Sequence, residues 1–276
     1  MNSHTKVLLA TDFSESAETL TDCLFALCPN IETEILLVHI VDEDNDANVP
    51  NKLKAVAAKL HKACYTNVSL SLPLLEGEVF QQIHELALSN NCDLVLVASH
   101  GKGFLRTTFM GSTTFDLARL STYPLFIGSI HNEDGTQDPL LSKILIPTDF
   151  SKESLLALNF IRNLREHIEE VVFVHVIERS RSSEELENKI SLAKQKLSEL
   201  VEEVKIFGVK SSYIIEKGSA SKKLRKISEE LNVSLVVMAK TGGGLIKGLP
   251  LGSTSQNFAL NTDRPLLLLP SMEEDD

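Results

Sequence analysis

The chain has 276 residues, of which 43% are hydrophobic, 24% charged and 5% aromatic, and its formal net charge is −11. These proportions are typical of a globular protein, and the acidic balance argues against a nucleic-acid partner because phosphate backbones attract basic surfaces. No apolar run approaches the ~18 residues of a membrane-spanning helix, and the first residues lack a secretory signal pattern. We therefore expect a cytoplasmic protein with no membrane partner.

In the first half of the chain, short apolar runs alternate with longer amphipathic stretches. This alternation predicts strands that are each followed by a helix. The predicted strands are Val7–Ala10, Ile35–Val41, Ser69–Leu75, Leu94–Ala98 and Leu125–Gly128. The predicted helices are Ser14–Cys28, Lys52–Tyr65, Val79–Asn90 and Thr113–Leu120.

The second half repeats this alternation. Its predicted strands are Ile144–Ile146, Val171–Ile177, Ser212–Ile215, Leu235–Met238 and Leu266–Leu269, and its longest predicted helix is Ser183–Phe207. Strand runs without polar alternation indicate burial on both faces, which is typical of parallel sheets. The predicted fold class is therefore α/β, with two doubly wound parallel five-stranded sheets of order 3-2-1-4-5 and helices on both faces.

The two halves are copies of one domain. Lys6–Ser14 (KVLLATDFS) recurs as Lys143–Ser151 (KILIPTDFS), and further matches follow at offsets of 136 to 141 residues. The offset between matching segments changes by only a few residues, which small insertions in loops explain. A duplication therefore accounts for the pattern. A polar, turn-rich stretch at 131–139 predicts a linker between domains at 1–135 and 141–276.

Charge and cysteine are distributed unevenly between the copies. Residues 1–138 contain 8 basic and 18 acidic residues, a net charge of −10, whereas residues 139–276 contain 19 and 20, a net charge of −1. The copies are therefore not expected to present interchangeable surfaces. All four cysteines lie in the first half, and we expect them to be small buried apolar residues rather than disulfides or zinc ligands. They are Cys23, Cys28, Cys64 and Cys92.

Polar residues that recur in both copies converge on one predicted cleft per domain. In doubly wound sheets, ligands bind beyond the carboxyl ends of the strands where the strand order reverses. Asp12 and Asp149 end the first strands, and the loops after the fourth strands share the pattern Gly-x9-Gly-Ser. Glycines and a following helix start suit an anion such as phosphate, with Ser112 and Ser253 expected at the N-caps. His39 and His175 are interpreted as hydrogen-bonded strand-end residues rather than ligands or bases.

These motifs resemble those of the universal stress protein family, and the whole chain resembles a tandem of two such domains from its nucleotide-binding branch. The resemblance implies adenine nucleotide, ATP or AMP, in each copy, with Mg²⁺ near Asp12 or Asp149 and the phosphates. Ile40 and Val176, after the second-strand histidines, would contact adenine. The motif residues of the phosphate loops in the two copies are Ala98, Gly101, Gly111, Ser112 and Thr114, and Ala239, Gly242, Gly252, Ser253 and Ser255.

One departure from the family pattern recurs in both copies. Ala98 and Ala239 stand where the family motif begins with glycine, and an added methyl group would crowd a bound ligand. The favoured function is a nucleotide-binding stress-response sensor with no catalysis or very slow hydrolysis. A scaffold with vestigial nucleotide sites and a slow Mg²⁺-dependent ATPase are the alternatives, the protein partner being unidentified.

Assembly is implied by the same resemblance. Domains of this family pair through their last strand, so the two copies are expected to form a pseudo-dimer within the chain. A further homodimer of the whole chain is also expected.

Overall fold

The computed structural model describes residues 5–41, 47–100, 110–129, 138–242 and 251–270. The chain divides into two compact units, Met1–Ile130 and His131–Asp276. The predicted domain ranges, 1–135 and 141–276, stay a prediction; the division between residues 130 and 131 lies at the start of the predicted linker, 131–139.

The first unit alternates strands and helices along the chain. Its strands are β1 (Lys6–Ala10), β2 (Glu34–Val38), β3 (Val68–Ser71), β4 (Leu94–Ala98) and β5 (Leu125–Gly128). Its helices are α1 (Glu15–Leu27), α2 (Val49–Lys62), α3 (Val79–Ser89) and α4 (Ser112–Leu120).

The second unit has the same order of elements. Its strands are β6 (Lys143–Pro147), β7 (Glu170–Ile177), β8 (Lys210–Lys217), β9 (Leu235–Ala239) and β10 (Leu266–Leu269). Its helices are α5 (Leu156–Leu164), α6 (Ser183–Ile206), α7 (Ala220–Glu230) and α8 (Ser253–Asn261).

Each unit has a parallel sheet whose strand order reverses beside its first strand. The order is β3-β2-β1-β4-β5 in the first unit and β8-β7-β6-β9-β10 in the second. The registers are parallel throughout; Leu8, for example, pairs with Leu36 on one side and Val95 on the other. The prediction of a doubly wound sheet of order 3-2-1-4-5 in each copy is therefore confirmed.

Apolar residues of the central strands form the core of each unit. Val7, Leu8 and Leu9 are at most 1% exposed, as are Ile144, Leu145 and Ile146 in the matching strand. Consecutive buried residues on a strand require cover on both faces, which the helices supply because right-handed crossovers place them on opposite sides once the strand order reverses.

One boundary error of the sequence analysis in the first unit concerns the start of α2. Its predicted start was Lys52, but the helix begins at Val49 with Pro50 in its first turn. Proline is compatible with that turn because its missing N–H would have no helical acceptor there.

The cysteines follow the prediction at three positions and depart from it at the fourth. Cys23, Cys28 and Cys92 are buried, whereas Cys64 is exposed in the turn after α2. Burial raises the pKa of the Cys23 and Cys28 thiols to about 12, which keeps both protonated and unreactive at neutral pH. Across the described segments, no helix has the length and apolarity needed to cross a membrane.

Candidate functional site

A cavity lies at the carboxyl ends of the central strands in each unit. The cavity of the first unit has a volume of about 320 Å³ and that of the second about 370 Å³. Such volumes fall within the range of small-molecule sites. Every predicted site residue in the described segments lines one of these cavities, and Gly101 lies outside the described residues. In the first unit they are Asp12, Ile40, Ala98, Gly111, Ser112 and Thr114. In the second they are Asp149, Val176, Ala239, Gly242, Gly252, Ser253 and Ser255.

A tight turn after the first strand presents the aspartate to the cavity. Asp12 Oδ1 accepts hydrogen bonds from Ser14 N (3.0 Å) and Ser14 Oγ (2.5 Å). Asp149 Oδ1 accepts the same two bonds from Ser151, at 3.0 and 2.5 Å. The serine hydroxyl in turn accepts from an amide of the following segment, Ala17 N in the first unit. One carboxylate oxygen is thus fixed by the turn in both units.

The histidine of the second strand supports this turn. His39 Nδ1 lies 2.7 Å from the carbonyl oxygen of Thr11, and His175 Nδ1 lies 2.8 Å from that of Thr148. A carbonyl can only accept, so Nδ1 carries the proton in both rings. The interpretation of the histidines as hydrogen-bonded strand-end residues is confirmed, since each ties the end of the first strand to the second.

The helix that follows the glycine loop starts one residue earlier than predicted, at the serine that was expected to cap it. Ser112 and Ser253 were predicted as N-caps, but Gly111 and Gly252 are the caps and the serines are the first helical residues. The first helical hydrogen bond runs from Phe115 N to the Gly111 carbonyl (2.9 Å). The N–H groups of the first three helical residues therefore have no carbonyl within the helix to bond, and they lie at the positive end of its dipole.

A buried hydroxyl fastens each of these helices to its strand. Thr114 Oγ1 donates to the Ala98 carbonyl (2.8 Å), and Ser255 Oγ donates to the Ala239 carbonyl (2.9 Å). Each hydroxyl proton is committed to the strand end. Any contact of these residues with a phosphate would therefore come through the backbone N–H.

Gly242 lies directly against the aspartate of the second unit. A Cβ at this position would overlap Asp149 Oδ2. Since Asp149 Oδ1 is held by Ser151, the carboxylate has little room to move aside. The close approach of the glycine backbone to the carboxylate, rather than to a ligand, is a reason for glycine here that sequence reasoning missed.

Apolar side chains complete the lining of each cavity. In the first unit, Ile40 after β2 lines it with Val79 and Ile83 of α3. In the second, Val176 lines it with Ala220 and Leu224 of α7. Each cavity is therefore lined by apolar side chains as well as by the helix start and the carboxylate.

The two sites differ in the charges around them. In the second unit, Glu178 also lines the cavity, and its Oε1 accepts from Ala220 N (3.0 Å). Lys240 follows β9 with 5% exposure, and burial lowers the pKa of its ammonium to about 8. In the first unit, Ser99 and His100 match Lys240 and Thr241, and their Oγ and Nδ1 lie 2.9 Å apart. Sequence reasoning missed Glu178, although its place just after the second strand marks the cleft edge.

The described residues hold no preassembled metal site. No group of three or more His, Cys, Asp or Glu side chains is arranged to hold an ion within the described segments. Carboxylate oxygens suit Mg²⁺, but one carboxylate per cavity requires further oxygens from a ligand. The predicted Mg²⁺ site is thus compatible with the residues only if phosphate supplies those oxygens.

Fold and site define the chain as a tandem of two doubly wound α/β domains, each with a carboxylate opposite a glycine-capped helix. The model of the universal stress protein family matches residues 4–127 and 141–270, and the chain belongs to that family. It is 28% identical over 154 residues to universal stress protein MJ0577 of Methanocaldococcus jannaschii. That match covers 47% of this chain and 95% of the archaeal protein.

Solved structures share the fold over nearly the whole chain. A universal stress protein from Archaeoglobus fulgidus superposes with a TM-score of 0.68 at 19% identity, covering 96% of both chains. The functionally unknown protein PA1789 of Pseudomonas aeruginosa gives a TM-score of 0.71 at 16% identity, covering 96% of this chain and 92% of that one. At these identities the similarity establishes the fold.

Proposed function

We propose that each unit binds an adenine nucleotide, ATP or AMP, and that the chain is a stress-response sensor in the cytoplasm with slow hydrolysis or none. The observation that carries this proposal is the same three-part cavity in both units. A strand-end carboxylate, a helix start whose first N–H groups have no acceptor within the helix, and apolar side chains line one space. Those parts suit a ribose or metal, phosphates and a purine, respectively.

The phosphates belong at the starts of α4 and α8. The N–H groups beside Ser112 and Ser253 point out of the helices, and the helix dipole favours an anion at that end. Mg²⁺ would then be held between phosphate oxygens and Asp12 or Asp149. The purine would lie against the apolar side chains, beside Ile40 or Val176.

Slow hydrolysis or none is proposed because one oxygen of each carboxylate is already engaged. Asp12 Oδ1 and Asp149 Oδ1 each accept two hydrogen bonds from the neighbouring serine. Such a carboxylate orients a ligand, whereas a general base needs a lone pair directed at the proton that it removes. ATP turnover at an ordinary enzymatic rate, roughly 1 s⁻¹ or faster, that disappears in Asp12→Ala plus Asp149→Ala would contradict this part of the proposal.

The first test is the nucleotide content of freshly purified protein. Denaturation followed by chromatography with mass detection identifies any released nucleotide, and calorimetric titration with ATP or AMP and Mg²⁺ counts the sites. We expect two sites per chain. No binding at millimolar nucleotide would overturn the proposal.

Matched substitutions at the helix starts separate folding from binding. Ser112→Asp and Ser253→Asp place a negative charge at the first helical residue, which favours the helix dipole but repels phosphate. Ser112→Asn and Ser253→Asn are the neutral controls of similar size. We expect the aspartate variants to remain folded and lose nucleotide at the altered unit, and the asparagine variants to retain it.

A scaffold is the second candidate, and the acidic first copy favours it. Residues 1–138 have a net charge of −10, and the edge strand of that unit is followed by the exposed Leu72 and Leu74. A protein that is folded and empty at millimolar nucleotide would shift the interpretation to this candidate. Its partner would carry basic and apolar groups.

A further inference from the structure

Phe13 and Phe150 adopt a backbone conformation that bulky residues rarely occupy. Their φ angles are 59° and 64°, in the left-handed region. A side chain with a Cβ is strained there, whereas glycine adopts the region freely. The strain recurs at the matching position of both units, directly after the cavity aspartate, so a physical benefit should accompany the aromatic side chain.

The left-handed conformation accompanies hydrogen bonds that the phenylalanine and the residues on either side of it form across the turn. Thr11 Oγ1 accepts from Phe13 N (3.1 Å), and Asp12 Oδ1 accepts from Ser14 N (3.0 Å). In the second unit, Thr148 Oγ1 accepts from Phe150 N at 3.0 Å. These bonds reverse the chain between the first strand and the first helix, and the aspartate lies at the reversal.

The phenylalanine ring connects this turn to two other elements. The Phe13 ring centroid lies 4.5 Å from that of His39, and Lys52 Nζ of α2 lies 5.9 Å from it. The Phe150 ring lies 4.5 Å from His175 and 5.0 Å from Lys196 Nζ of α6. We call each His–Phe–Lys set the aromatic stack, in which the two rings are tilted by 38° in the first unit and by 31° in the second. The histidine also forms a hydrogen bond with the carbonyl of the threonine that precedes the aspartate. The residues before and after each aspartate are therefore both in contact with the same histidine.

We infer that Phe13 and Phe150 are positioning residues for the cavity carboxylates, retained despite backbone strain because the aromatic stack fixes the turn that carries Asp12 or Asp149. Glycine would relieve the strain and free the turn. This inference rests on the proposed nucleotide function for its effect on affinity. Its effect on the turn itself is independent of any ligand.

The test replaces one phenylalanine at a time, so that the other unit is an internal reference. Phe13→Gly removes both the ring and the strain, Phe13→Leu keeps the strain and apolar bulk without the aromatic face, and Phe13→Tyr keeps the stack. The same set is made at Phe150. Each chain carries Ser112→Asp or Ser253→Asp in the other unit, so that a single site is titrated with ATP and Mg²⁺.

We expect Phe13→Gly to raise the ATP dissociation constant of its unit roughly tenfold, since binding groups must be held close to their productive geometry. Phe13→Tyr should stay near the unsubstituted value, and Phe13→Leu should fall between them. The ligand-free measurement is amide hydrogen exchange at Ser14, whose N–H bonds Asp12. Exchange should speed up in Phe13→Gly and be restored in Phe13→Tyr.

Each outcome decides the inference. Unchanged exchange and affinity in Phe13→Gly, or a tyrosine variant as impaired as the glycine variant, would overturn it. Should Phe13→Gly fail to fold, the comparison of Phe13→Leu with Phe13→Tyr decides in the same way. If the unsubstituted chain binds no ATP, the proposed function fails, while the exchange of Ser14 and Ser151 amides still supports or overturns the role of the stack.

Discussion

Gly242 is a residue at which one methyl group should act on the second site alone. Its added Cβ would overlap Asp149 Oδ2, and the other carboxylate oxygen is held by Ser151. We expect Gly242→Ala to turn the Asp149 carboxylate away and to weaken ATP binding at the second unit by roughly tenfold. Calorimetric titration of a chain with its first site closed by Ser112→Asp measures the effect.

A double-mutant cycle shows whether this methyl group acts through the aspartate. If it does, Gly242→Ala should have little further effect on a chain that already carries Asp149→Ala. Equal losses of affinity with and without Asp149 would mean that the methyl group meets the ligand directly. Circular dichroism of all four chains checks that they are folded.

At the scale of elements, the hydrogen bond that attaches α4 to β4 can be tested with a substitution of the same shape. Thr114 is 6% exposed, and its hydroxyl donates to the Ala98 carbonyl (2.8 Å). Thr114→Val removes the bond and leaves a buried carbonyl without that donor, so we expect unfolding to require about 1–2 kcal/mol less free energy. Urea denaturation measures this change.

The neighbouring Thr113 provides the control, because it is only half-buried at the same helix start. Thr113→Val should change the free energy of unfolding by less than about 0.5 kcal/mol. Nucleotide affinity should survive Thr114→Val, since the backbone N–H remains. A stable Thr114→Val chain that no longer binds nucleotide would show that the hydroxyl itself contacts the ligand.

The order of elements was predictable from the sequence, whereas the local geometry of the site was not. The strand segments are apolar without polar alternation, which predicts a parallel sheet buried on both faces. The duplication shows the same pattern twice, so each predicted strand is supported by its counterpart in the other copy. The left-handed Phe13 could not be predicted, because sequence patterns assign that conformation to glycine or asparagine. The contact between Gly242 and Asp149 could not be predicted either. The two residues are 93 positions apart in the sequence, and the distance between them in space depends on how the chain packs.

At the scale of the whole molecule, the duplication preserved the cavity and changed the charge around it. The aspartate turn, the histidine support and the glycine-capped helix recur in both units at nearly equal distances. The net charge, by contrast, is −10 over residues 1–138 and −1 over residues 139–276. Two sites of one geometry in two electrostatic surroundings should respond differently to ionic strength.

Salt should therefore shift the balance between the two sites. Nucleotides are anions, and the field of an acidic unit opposes their approach until counter-ions screen it. Raising the ionic strength from about 0.01 M to about 0.1 M shortens the Debye length from about 30 Å to about 10 Å. We expect ATP affinity at the first unit to rise several-fold relative to the second, measured in chains with the other site closed by Ser253→Asp or Ser112→Asp.

Neutralising exposed charges beside the first cavity tests the cause of this shift. Glu76 and Glu78 are exposed on the segment that leads into α3, whose Val79 lines the cavity. Glu76→Gln plus Glu78→Gln should raise affinity at low salt and reduce the salt effect at the first unit. If the ratio of ATP affinities at the two units does not change with salt, with or without the glutamine substitutions, then contacts inside each cavity outweigh the electric field of the surrounding unit.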